Sequence, residues 1–327
     1  MSQHPSISSS EIGVLWITYQ QKTMVTRMLE YFIGKAEDEE AKKIMKNLYE
    51  EINPYIEKIQ GIFQEEIPVP IGFTAEDVYK EAPKLYDNGF DIMFVRLIKE
   101  ISMAMHTLNL TMLYRKDLRE IFREVSIVTQ KYFDFCTEYL IERGLIPKSP
   151  FVDPVKSVEF VKDASYLGIL NPIKGKRSLN TVEMAHIYHA IESNMMGMQM
   201  IFGFAQCAET KEVGKFFSKG GELAKSMIKE LGNFFLEDNI PVPGIAGGNV
   251  TISTIPPFSD KMMLYCVSLF CSFSLGGNSL GTAFSLRNDL PGKLSVFMKD
   301  IFQYAHEGAK IMIKHGWMEE PPQIMKK

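Results

Sequence analysis

The sequence is poor in the residue types from which chemistry is usually built. Its 327 residues include six histidines, four cysteines and two tryptophans. Cys136, Cys207, Cys266 and Cys271 show no C-x-x-C spacing. That excludes a zinc ribbon and a disulfide framework, and it suits reduced, buried thiols in a cytoplasmic protein. The net charge is −4 and acidic and basic residues are interspersed, so the clustered Lys and Arg that bind nucleic-acid phosphates are missing. The opening MSQHPSISSSE lacks the charged-then-apolar order of a secretory signal. Glycine-rich GIAGG (Gly244–Gly248) leads into no Lys-Ser/Thr pair and is not a phosphate loop. No Ser, Cys or His arrangement has the spacing of a nucleophile with its base.

Charge itself is absent from Met262 to Leu286, a stretch of 25 residues. It is long enough to cross a bilayer, but the corresponding first-half segment carries Asp91, Arg96, Lys99, Glu100 and His106. A central bundle helix, not a transmembrane helix, is the expectation.

What the sequence does contain is itself, twice. Gly144 and Gly316 lie 172 residues apart, as do Pro150 and Pro322. Arg115-x-Asp117-Leu118 recurs at that offset as Arg287-x-Asp289-Leu290, and Ala36-Glu37 as Ala208-Glu209. EEIPVP (65–70) recurs as EDNIPVP (237–243) with Asn239 inserted. Matches at one offset mark an internal duplication. Each copy opens with a capping box and hydrophobic staple, Ile7-Ser8-x-x-Glu11-Ile12 and Leu179-Asn180-x-x-Glu183-Met184.

Helical periodicity fills each copy. Ile12, Leu15, Trp16 and Tyr19 begin a first helix; Leu48, Ile52, Ile56, Ile59 and Phe63 stripe a second over 39–65, with Pro54 inside it. A third spans roughly 87–113, and Leu118, Ile121, Phe122, Val125 and Tyr132 stripe a fourth that ends at Gly144, a residue suited to a left-handed cap. Asp117 and Asp289 read as helix N-caps. The first and second helices, and the third and fourth, are joined by short turns; a long Pro- and Gly-containing crossover (67–84) joins the second and third. Short, long, short is the ferritin-like order. The fold expected is therefore all-α: two tandem ferritin-like four-helix bundles over 1–150 and 178–327, joined by a linker (151–177) with a short helix near 158–166.

Several segments are similar to one family: GFTAEDVYKEAPKLYD in the first copy, then GKRSLNTVEMAHIY, PFSDKMM and IMIKHGWMEEPP in the second. With the Arg-x-Asp-Leu turns, they resemble the DUF3231 group, tandem-repeat proteins of spore-forming Firmicutes, over about Ser8 to Gln323. The resemblance implies a bundle related to spore-coat-type proteins, a cytoplasmic or spore-associated setting, homo-oligomeric or spore-associated partners, and no established activity.

A ferritin-like bundle raises di-iron chemistry, which needs a Glu from each of two helices and Glu-x-x-His from each of the others. Only His186 has a Glu three residues before it, and that Glu183 belongs to a capping box. No acidic residue lies between Asp260 and Asp289. No standard di-iron centre, and no cofactor, is expected. The remaining candidate metal ligands are Glu183, His186 and His189, spaced i, i+3, i+6, with His306 from another helix; the competing reading is a capping carboxylate, a core histidine and surface histidines. The methionine run at 194–200 is read as adaptable core filler. Together these features favour a non-enzymatic structural or interaction protein. The alternatives are a metal or small-ligand binder using the second bundle, and an oxidoreductase with a non-standard metal site.

Overall fold

The computed structural model describes residues 6–146, 148–152, 155–168, 177–244 and 247–324. Each copy supplies four helices: α1 (Ser9–Lys35), α2 (Glu39–Glu66), α3 (Phe90–Leu110) and α4 (Lys116–Glu142), then α5 (Thr181–Cys207), α6 (Lys211–Glu237), α7 (Asp260–Phe284) and α8 (Asp289–Lys314). Among the described residues there is no strand, only two isolated bridges. The linker helix expected near 158–166 is a single 3-10 turn, Ala164–Leu167; residues 153–154 and 169–176 of the linker lie outside the described residues, as do Ile245 and Ala246 of the glycine-rich loop and His4.

The ends of the helices follow their sequence signals. Both capping boxes form: the Ser8 and Asn180 side chains accept the amides of Glu11 and Glu183, whose carboxylates reach back to the cap amides. α4 and α8 both stop in Schellman turns, with Gly144 and Gly316 at φ 63° and 68°. The amides after them, of Leu145 and Trp317, return to the carbonyls of Leu140 and Met312 at 2.9 Å in both copies.

The capping glutamates do more than cap. The second oxygen of Glu11 accepts the amides of Tyr114 and Arg115 at 2.8 and 2.7 Å. Glu183 accepts those of Leu286 and Arg287 at 3.1 and 2.9 Å. Each glutamate thus ties the start of its copy's first helix to the turn between third and fourth. Burial pushes both carboxyls up, but these hydrogen bonds, with the Arg177 guanidinium on Glu183, bring them below the usual range.

That tie changes the meaning of the Arg-x-Asp turn. Asp117 and Asp289 are not N-caps; the capping positions are Arg115 and Asn288. The aspartates lie in the first turn and grip the buried arginine two residues back in a bidentate pair, at 3.2 and 2.8 Å for Arg115 and 2.9 and 3.0 Å for Arg287. Each arginine also reaches the end of the second helix, at Glu66 or Glu237.

The two copies are joined by exchanging their crossovers. Val78 bridges Phe258, and Tyr86 bridges Val250, both antiparallel. These pairs are one contact made twice, since 78 + 172 = 250 and 86 + 172 = 258. The amide of Tyr79 donates to Pro257 (2.8 Å) as Thr251 donates to Leu85 (2.9 Å). Side chains follow the backbone. Phe258, from the second crossover, packs edge-on against Tyr31 of α1, centroids 5.2 Å apart. Tyr86, from the first, enters the second copy and donates to the carbonyl of Met200 at 2.6 Å. It needs Gly203 there, because a Cβ would lie 2.5 Å from the Tyr86 ring. One cluster of buried apolar side chains consequently runs through both copies, and a smaller one fills the outer end of the first.

Replacing Glu11 by Ala leaves the Tyr114 amide and the buried Arg115 amide of the turn without their acceptor. The expected cost is about 2–4 kcal/mol, read as a lower urea midpoint, while Glu39→Ala on the exposed start of α2 should leave the midpoint within about 0.5 kcal/mol of wild type.

Candidate functional site

Helix geometry directs the candidate metal ligands to different places. Glu183 is fully buried, and its two oxygens are taken by the cap amide, the α7–α8 turn and Arg177, which holds it with two bonds of 2.7 Å. His186, half-buried, stacks on Phe284 at 5.7 Å, and burial, then the nearby His189, lowers its pKa. His189 turns across the junction between copies to pair with Glu100 of α3; that hydrogen bond raises its pKa against the opposing effect of burial. His306 is exposed on α8 and stacks on Phe302. The spacing along α5 gives a shared face, but the four side chains find separate partners before they could converge. Among the described residues no group of three or more His, Cys, Asp or Glu is placed to hold a metal ion.

The centre of the first bundle carries basic side chains. Lys22 of α1, Lys99 and His106 of α3 are 2%, 1% and 0% exposed. Lys22 Nζ lies 3.1 Å from His106 Nε2, and His106 Nδ1 lies 3.3 Å from Thr129 Oγ1 on α4. Thr129 donates its hydroxyl to the Val125 carbonyl at 2.8 Å. The threonine oxygen therefore accepts from Nδ1–H, and Nε2 accepts from the lysine. Burial pushes all three groups toward neutrality, with mutual repulsion adding to it for Lys22 and His106; Lys99 is brought down to about 8. Periodicity alone places Lys99 and His106 with the other polar residues of α3, on a solvated face. Their seven-residue spacing, which puts both on one face, is the signal that could have revealed them.

At the 172-residue offset the second bundle carries Asn194, Cys271 and Asn278 in these positions. Asn278 donates to the Ser274 carbonyl at 2.8 Å and leaves its own carbonyl oxygen without a partner. Burial pushes the Cys271 thiol up to about 12, so it stays protonated at neutral pH. A cavity of about 70 Å³ among α5–α8 borders Asn194 and Cys271. Met196 and Met200 of the methionine run are core residues. Neither centre fits a di-iron group: one presents amines and imidazole in place of carboxylates, the other amides and a protonated thiol. α7 is long and apolar enough in composition to cross a membrane; here Met262, Met263, Cys266 and Val267 on it are core residues.

Four ionisable residues link the copies on one side. Arg96 of α3 pairs with Glu192 of α5 at 2.9 Å, beside the Glu100–His189 pair. Arg96, Glu100 and Glu192 border a space of about 30 Å³.

The family model described as "Protein of unknown function (DUF3231)" matches residues 1–158 and again 167–327. No curated protein matches. A solved structure, a "putative spore coat protein" from Bacillus halodurans C-125, is 15% identical over 46% of this chain and 98% of its own, with a TM-score of 0.43.

The buried amine generates a prediction with a definite sign. Between about 8 and the ordinary 10.5, the unfolded chain holds a proton on Lys99 that the folded chain does not, so stability rises with pH across that window. Lys99→Met should raise stability at pH 7 by up to roughly 3 kcal/mol and reduce the rise between pH 8 and 10.5, leaving the part contributed by the buried Lys22. Urea melts of both proteins across that range measure it.

Proposed function

We propose, because the chain belongs to the DUF3231 family and presents no cluster of carboxylates at the centre of either bundle among its described residues, that it is a non-enzymatic structural or interaction protein. On this reading each copy is a ferritin-like bundle: two short-looped hairpins joined by a crossover, with the scaffold kept and the di-iron ligands replaced by Lys22, Lys99 and His106 in one copy and by Asn194, Cys271 and Asn278 in the other. Its setting, in the cytoplasm of a sporulating cell or with the spore itself, is assigned from the family resemblance.

The observation that carries the interaction role lies on the linker. Phe151, Val158 and Phe160 are 93%, 88% and 83% exposed, and Val155 stands beside them in solvent. Scattered apolar residues on a surface are ordinary, but a run of large ones on one exposed segment is the mark of a contact surface. The partner assigned to it is a second copy of the chain.

Multi-angle light scattering tests this reading. The wild type should self-associate at micromolar concentration, and a Val155→Ser, Val158→Ser, Phe160→Ser variant should be monomeric with an unchanged melting temperature. A monomeric wild type would remove the self-association role. Near-stoichiometric iron, zinc or manganese by elemental mass spectrometry, lost in His186→Ala or His189→Ala, would replace the interaction reading with metal binding.

A further inference from the structure

The exchange of crossovers creates two grooves between the copies, equivalent at the 172-residue offset and differently furnished. One lies between α5 and the α3–α4 hairpin and is bordered by Arg96, Glu100 and Glu192, with His189 paired to Glu100 beside it. The other lies between α1 and the α7–α8 hairpin. There the same four positions carry Ser268, Ser272, Ile17 and Gln20. Arg96–Glu192 becomes Ser268–Gln20, and the groove opens from about 30 to about 220 Å³.

We propose that this open cleft binds a small uncharged apolar molecule, one aromatic ring or an aliphatic group of similar bulk, carrying at most one hydrogen-bonding group. Trp16, Phe73, Phe216, Tyr265, Met312 and Trp317 line it. The Schellman turn that ends α8 sets Trp317 in its wall, where the equivalent Leu145 borders the small groove. An empty cavity of about 150 Å³ lined by apolar side chains takes up benzene, so about 220 Å³ has room for a ring with a short substituent. The rim charges are already committed. Lys261 donates to the Gly72 carbonyl at 2.9 Å and lies 4.9 Å over the Phe73 ring. Glu319 accepts the amides of Ile71 and Gly72 at 2.9 and 2.8 Å. Ser268 donates to the Tyr265 carbonyl at 2.7 Å. Gln20, buried in the wall, adds a polar side chain to the lining that can meet a ligand's hydroxyl or carbonyl.

Both tryptophans of the chain line this cleft, so selectively excited tryptophan fluorescence reports on it. Titration of the full chain with benzyl alcohol should give a saturable change in tryptophan emission and a higher melting temperature. Benzoate, charged and otherwise similar, should bind at least about tenfold more weakly. Ala309→Phe, which fills the cleft, should abolish the response. So should the double change Gln20→Glu with Ser268→Arg, which installs the ion pair of the opposite groove and guards against a misfolded Ala309→Phe. No saturable change in the wild type, an undiminished response in the folded double variant, or benzoate binding as tightly as the alcohol would each overturn the proposal.

Discussion

A buried carboxylate under the first turn of each copy holds the bundle together at one end. Glu11, and Glu183 after it, faces the positive end of its own helix, where a negative charge is favoured, and accepts the backbone amides of a turn about 100 residues further on. The two hairpins of a copy are connected in the chain only through the crossover. The glutamate therefore supplies the tie at the opposite side, and the Arg-x-Asp turn is built to receive it: the arginine is locked by its aspartate and also reaches the second helix. Three of the four helices of each copy meet at this one charged node.

The crossovers then make one molecule of two bundles. Residue 78 meets 258 and residue 86 meets 250, the reciprocal pattern of a two-fold dimer contact enclosed within a single chain. A true dimer must carry the same residue on both sides of such a contact. The tandem chain need not, and it has used that freedom. Tyr86 faces Gly203 where Phe258 faces Tyr31, one bundle centre is basic where the other is neutral, and one groove is closed by ion pairs where the other is open.

Features set by local physics were legible in the sequence. Both capping boxes, the terminal glycines, the helix count and the offset of 172 all depend on residues within a few positions of each other or on simple repetition. The misreadings share a cause. Asp117 beside an apolar run has the signature of an N-cap, and only the distant Glu11 and Glu66 explain why the turn is made otherwise. Lys22 and Lys99 look like surface residues until α1 and α3 are set side by side. Glu183, His186 and His189 share a helix face, but which neighbour each meets is decided by elements distant in sequence: the α7–α8 turn and Phe284 of their own bundle, and Glu100 of the other. The exchange of crossovers left no trace in periodicity, because the paired segments are short, irregular and far apart in the chain (258 − 78 = 180 and 250 − 86 = 164).

That separation has a kinetic side. Helical hairpins close over short loops and form early, while contacts between residues far apart in sequence must first overcome the entropy of closing a long loop. Each hairpin can therefore be present before the crossovers find one another. Tyr86 and Phe258 pack against the other copy's first helix only after that search ends, so the step that completes the core is also the slow one. Until then the apolar faces destined for the junction stand open, and a neighbouring chain on the same path offers the same crossover to fill them.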